Sequence, residues 1–155
     1  MSDYDDDVPW ADPQIQLDYE AALGDFLVRF NRIENSVSDI AYHALKQRKR
    51  LDLLDAMEKP PLQQRLESLE LLLLAFPEMP SLPYAAIKTL AKDRNALAHG
   101  HFDQNPFQGD YRIVGRGKSS EWSPKDIARL GDRADALWEE LRRAEAWLMF
   151  NDDET

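Results

Sequence analysis

Cysteine is absent from this 155-residue chain. That one absence excludes a disulfide framework, a thiolate metal site and a thiol nucleophile, and a reducing cytoplasm is the compartment it suits. Long apolar runs are missing too. The longest is Leu71 to Phe76, six residues, whereas a membrane-spanning helix needs about 20, so no membrane association is expected. The chain opens Met1, Ser2, Asp3, Tyr4, Asp5, Asp6, Asp7, without the basic start and apolar core of a secretory signal, and export is not expected. Histidine is scarce, with three copies at 43, 99 and 101, so candidates for acid–base chemistry near neutrality are few.

Charge is unbalanced, 19 Lys plus Arg against 29 Asp plus Glu, for a formal net of −10. Much of it sits at the ends. Asp3, Asp5, Asp6, Asp7, Asp152, Asp153 and Glu154 account for seven acids, leaving residues 8–150 with 22 against all 19 bases, a net of −3. Global charge therefore neither favours nor excludes a polyanionic partner, and local distribution decides. With 43% hydrophobic and 31% charged residues, the chain has the material for one globular domain. The expected organisation is an acidic flexible tail over 1–11, a helical domain over 12–150 and a second acidic tail over 151–155.

Hydrophobic period is helical throughout. Tyr19, Leu23, Phe26, Phe30, Ile33, Val37, Ile40 and Ala44 recur in steps of four and three, predicting one long amphipathic helix over about 13–47. Asp12-Pro13 opens it and the basic run Lys46 to Arg50 suits its end. After a short segment around Leu51 to Met57, Pro60-Pro61 starts a second line, Leu62, Leu66, Leu69, Leu73, Phe76. Leu71, Leu72 and Leu74 make that helix apolar nearly all round, so it is expected either at the centre of the domain or buried on a second face against another subunit. Pro77, Pro80 and Pro83 mark a loop, and a further helix runs from Tyr84 to His99, with Gly100 as its stop. The stretch from Gly100 to Ser123, with its β-like run Tyr111 to Val114, reads as a small hairpin or irregular excursion. Ser123, Pro124 and Asp126 then open a last helix along Ile127, Leu130, Ala134, Leu137, Leu141, Ala144 and Leu148. The fold class predicted is all-α, an up-and-down four- to five-helix bundle with a small β-like excursion before the last helix.

One position breaks the pattern. The line Ile87, Leu90, Arg94, Leu97 places an arginine where the apolar stripe asks for leucine, and a guanidinium there needs a partner. Glu34, flanking the buried face of the first helix, is the structural candidate. Around Arg94 the chain reads Asp93-Arg94-Asn95-Ala96-Leu97-Ala98-His99-Gly100-His101, so Arg94, Asn95 and His99 span one edge of the apolar face.

The string Arg94 to His99 resembles the arginine, four to six residues, histidine motif of the HEPN superfamily (higher eukaryotes and prokaryotes nucleotide-binding domains), in which a polar residue commonly follows the arginine. Phe30-Asn31-Arg32-Ile33-Glu34-Asn35 also resembles the start of such domains, and the helical order is similar over most of the chain. The resemblance implies a homodimer whose two motifs meet in one cleft. It further implies a metal-independent endoribonuclease with no cofactor, serving as a toxin with a cognate antitoxin, in abortive infection or in RNA processing. His99 would move the proton of the substrate's 2′-hydroxyl, Arg94 would hold the phosphate, and Asn95 would orient either the histidine, the phosphate or the dimer mate. The products would carry 2′,3′-cyclic phosphate and 5′-hydroxyl ends.

Candidates for RNA contact are Lys88 and Lys92 on the flank of the motif helix, His101, and Arg112 with Arg116 and Lys118 in the excursion. Trp122, Phe102, Phe107 and Tyr111 are aromatic enough to stack bases or simply to cover the end of the domain. His43 reads as a surface or interface histidine. No metal site is expected: His99, His101 and Asp103 would share a side only if 99–103 were extended, against the helix stop at Gly100. Two other classes stay open, a catalytically silent HEPN-like module binding nucleotide, RNA or a protein partner, and a purely structural helical adaptor.

Overall fold

A computed structural model describes residues 13–99, 101–105, 110–114 and 121–152, with side-chain environments for 13–98 and 122–152. The expected tail over 1–11, and residues 153–155 of the other, lie outside the described residues. The described chain is mainly helical: α1 (Pro13–Gln47), a 3₁₀ turn (Leu51–Leu53), α2 (Leu54–Glu58), α3 (Leu62–Leu73), α4 (Tyr84–His99) and α5 (Pro124–Phe150). Between α4 and α5, strands β1 (His101–Asn105), β2 (Asp110–Val114) and β3 (Glu121–Trp122) pair antiparallel in that order, Phe102 opposite Ile113 and Ile113 opposite Trp122. No described helix is long and apolar enough to cross a membrane.

The apolar period of α1 buries Tyr19, Phe26, Phe30, Ile33, Val37, Ile40 and Ala44. Its end is closed by Lys49, which adopts φ 57°, while the Arg50 and Lys49 amides donate to the Leu45 and Lys46 carbonyls at 2.8 and 3.0 Å. This pairing satisfies carbonyls that the last helical turn would leave without donors. Arg29 on α1 lies 2.8 Å from Asp135 and 3.5 Å from Asp132 on α5, His43 lies 3.7 Å from Glu145, and Gln47 donates to the Leu148 carbonyl. Contacts that advance together along both helices mean that α1 and α5 run in the same direction.

The path between them explains this. Arg65 donates to Ser38 Oγ and Arg48 to the Ala75 carbonyl, so α3 also runs with α1, and the 3₁₀ turn and α2 must carry the chain back from the end of α1 first. The Lys88–Glu67 and Arg94–Glu34 contacts show α4 returning against both. Successive helices alternate only when α2 is counted.

A central position for α3 is overturned. It buries Leu62, Leu66 and Leu69, but Leu71 and Leu74 are 70% and 73% exposed. In place of a fourth covered side, the Pro-rich connection contributes Phe76, Met79 and Leu82 to the core, so that segment is anchored despite its three prolines.

Local chemistry sets the start of α5. Ser123 Oγ accepts from the Asp126 amide at 3.1 Å and an Asp126 carboxylate oxygen accepts from the Ser123 amide at 3.0 Å, with Pro124 at the first helical position. The Ser123 amide first and the Ser123 hydroxyl second hold the Asp126 carboxyl below its ordinary value, against a slight opposing effect of burial and with a smaller pull from Arg129. Ser123→Ala is expected to cost about 1 kcal/mol, read as a fall of about 2–4 °C in Tm. Because the Asp126 pKa is depressed in the folded state, its contribution is present above the ordinary carboxylate value and lost as pH falls through the depressed one. The stability gap between wild type and Asp126→Asn should therefore close on acidification.

Candidate functional site

Arg94 interrupts the buried line Ile87, Leu90, Leu97 of α4 because α1 supplies an environment suited to a guanidinium. Phe30 and Glu34 are one turn apart on α1, so their side chains share a face. The Arg94 guanidinium carbon lies 5.0 Å from the centroid of the Phe30 ring, and Arg94 Nη2 lies 3.3 Å from Glu34 Oε1. A ring face and a carboxylate thus engage one cation at once, the first by its quadrupole and the second by its charge. The pair is not sealed, since the two side chains keep 30% and 27% of their exposure. Arg94 Nε is buried and has no hydrogen-bond partner among the described residues.

Two concavities meet at this pair. One, of about 340 Å³, is lined by Leu27, Val28, Phe30, Asn31, Glu34 and Arg94. The other, of about 440 Å³, lies between the start of α3 and α4, and Glu34 and Arg94 again form part of its wall. Glu34 and Arg94 therefore face space on two sides, and the guanidinium stays accessible to a ligand at the part of its side chain that remains exposed, Nε excepted.

Of the residues expected from the sequence, Glu34, Lys88, Lys92, Arg94 and Asn95 are brought together around the larger cavity. Lys92 and Asn95 are exposed. Lys88 lies 3.8 Å from Glu67, a long contact that leaves its ammonium loosely held. His99 is the last residue of α4, His101 the first of β1, and Arg112 lies in β2 opposite Asp103. The side chains of these three lie outside the described residues, as do Arg116, Lys118 and Phe107. Along a continuous helix, His99 follows Arg94 by about 7.5 Å of axial rise and about 140° of rotation. The chain from 99 to 103 is not one extended run: α4 includes His99, and the strand begins at His101.

His43 stands apart. It contacts Glu145 of α5 and lies T-shaped to the Tyr42 ring, centroids 5.4 Å apart, nine residues beyond Glu34 on α1. It is half-buried between α1 and α5. Burial raises the Glu145 pKa, the Asp39 charge adds to that, and His43 and Arg142 oppose it.

Two residues of the site do not stand out in the sequence alone. Phe30 is the ring under Arg94; it heads the string Phe30 to Asn35, but its spacing of four before Glu34 is what points to a platform role. Arg65 lines the larger cavity from α3 and is oriented by Ser38; nothing in its local sequence marks it. Among the described residues, no group of three or more His, Cys, Asp or Glu could hold a metal ion. No family model, curated protein or solved structure matches this chain.

Proposed function

We propose that this chain is a HEPN-type, metal-independent endoribonuclease that acts as a homodimer, its helices forming the bundle of that superfamily. The observation that supports this best is the setting of Arg94. It is stacked on Phe30, shared with Glu34 and bordered by two cavities, five residues before the histidine that ends the same helix. A buried structural arginine would be enclosed by its partner, whereas this one retains access for a phosphate.

In this reading a 2′-hydroxyl of the substrate loses its proton to His99 and attacks the adjacent phosphorus, while the 5′-oxygen leaves and takes up a proton. Arg94 holds the phosphate oxygens as negative charge grows on them. Asn95, exposed on the same helix edge, orients the phosphate or the imidazole. A second copy across a two-fold axis brings another arginine and histidine to the cleft.

The Arg94–Glu34 contact also favours a second reading, a silent module in which the pair is structural and the cavities receive a binding partner. One experiment separates them. Purified protein is incubated with labelled single-stranded and structured RNAs in EDTA, beside His99→Ala, and fragment ends are analysed. Cleavage leaving 2′,3′-cyclic phosphate, lost in His99→Ala at unchanged helicity, is the expected result. Fragments that persist in His99→Ala, or no fragments from any RNA, would reject the catalytic assignment.

A further inference from the structure

The larger cavity beside Arg94 carries four cationic side chains, Arg65, Lys88, Lys92 and Arg94, against the single carboxylate of Glu34, a formal +3. The whole chain has a net charge of −10. A concave surface of the minority sign concentrates positive potential where the rest of the molecule repels anions, so this is where a phosphate would settle. Two of the cations are arranged to be used. Arg65 commits one amino group to Ser38 Oγ, which fixes the guanidinium while leaving its other donors. Among the described residues, Lys88 has only the long 3.8 Å contact with Glu67 to give up. Pro60, Pro61 and Ala91 add an apolar wall, suited to a sugar or base face, and about 440 Å³ lies within the usual range of small-ligand pockets.

We propose that this cavity is a second phosphate subsite for a single-stranded RNA chain, built by Arg65 and Lys88, which holds the nucleotide next to the phosphate at Arg94. The assignment rests on the ribonuclease reading. Arg65 and Lys88 are positioning residues: they fix the chain's register and take no part in bond cleavage.

The test uses the full chain and a short fluorescent oligonucleotide with 2′-O-methyl riboses, which lacks the attacking hydroxyl. Its affinity is measured by anisotropy across a salt series for wild type, Arg65→Gln/Lys88→Met, and the control Lys125→Met, an exposed cation outside the cavity. The double variant is expected to bind about tenfold or more weakly, the worth of a charge-assisted contact. Its log–log salt slope should fall by about 0.7, one single-strand phosphate, and the control should match wild type. Lys88→Met alone, which keeps most of the aliphatic stem and gives up the long contact with Glu67, should show a smaller loss in the same direction and carries the test if the double variant unfolds. Unchanged affinity and slope would overturn the subsite, even with natural RNA still cleaved. Binding that depends on Arg65 and Lys88 without any cleavage would retain the subsite while rejecting the ribonuclease reading. Displacement of the oligonucleotide by AMP at equal concentration would overturn the chain assignment in favour of a free-nucleotide site.

Discussion

Arg94→Ala should slow single-turnover RNA cleavage by about 10²–10³-fold, the usual worth of one preorganised group that meets developing charge. The fold should survive it. Glu34 keeps 27% of its side-chain exposure, so it can be solvated when its partner is removed, and the lost pair is worth on the order of 1 kcal/mol. That asymmetry between rate and stability makes the variant informative. Arg94→Lys keeps the charge but loses the planar fork, so it should recover binding more than rate. Glu34→Gln removes the competing carboxylate while keeping an acceptor of the same shape, and cleavage should persist. If Arg94→Ala cleaves RNA like wild type at an unchanged unfolding midpoint, the arginine does not hold the reacting phosphate. If Arg94→Ala and Glu34→Gln instead lower stability together and neither affects cleavage, their contact is structural.

The elements with local determinants were readable from the sequence. The uninterrupted three-and-four period placed α1 at Pro13–Gln47, and Ser123-Pro124 with Asp126 placed the start of α5, because amphipathic period and capping are decided within a few residues. The relative directions of the helices were not readable. Parallel packing of α1 and α5 depends on the short return through α2, and a five-residue helix leaves almost no periodic signal. The leucines of α3 left two covers open, the centre of the domain or another subunit: hydrophobicity states what a side chain gains by burial, not what supplies the cover, and within one chain Leu71 and Leu74 are exposed. The prolines between α3 and α4 mark a loop, and a loop connects the two helices, but they do not show that Met79 and Leu82 pin it to the core.

The candidate site was legible in proportion to how far each residue departs from its expected environment. Arg94 stood out because charge in an apolar line is costly, and Glu34 followed as the nearest opposite charge on a facing flank. Phe30 did not stand out as a cation platform, because a phenylalanine in a core stripe is ordinary. Arg65 was invisible for the opposite reason, since an arginine among polar helix positions asks for no explanation. Only the convergence of α3 on α4 gives it a place beside Lys88 and Arg94.

Phe30→Ala should destabilise the fold far more than Arg94→Ala or Ser123→Ala, costing about 3–5 kcal/mol and lowering Tm by roughly 6–20 °C. Phe30 is 1% exposed and meets the Phe26 ring edge-on at 6.1 Å and 60°, so truncation both opens a cavity and removes an aromatic pair. The Phe30 ring also carries the Arg94 guanidinium, which ties the core to the site. Phe26→Ala provides the comparison, because Phe26 is fully buried and its loss should cost a similar amount without removing the platform. Urea unfolding of the two variants should give matching losses. Under conditions where both remain folded, Phe30→Ala should lose more RNA cleavage than Phe26→Ala, since its arginine is no longer held over a ring. Phe30→Leu, closer in volume, should recover most of the stability but only part of that activity. A Phe30→Ala cost below about 1 kcal/mol, within the range of ordinary surface changes, would contradict the core assignment. Equal activities for Phe26→Ala and Phe30→Ala would show that stacking on the ring does not position Arg94 for reaction.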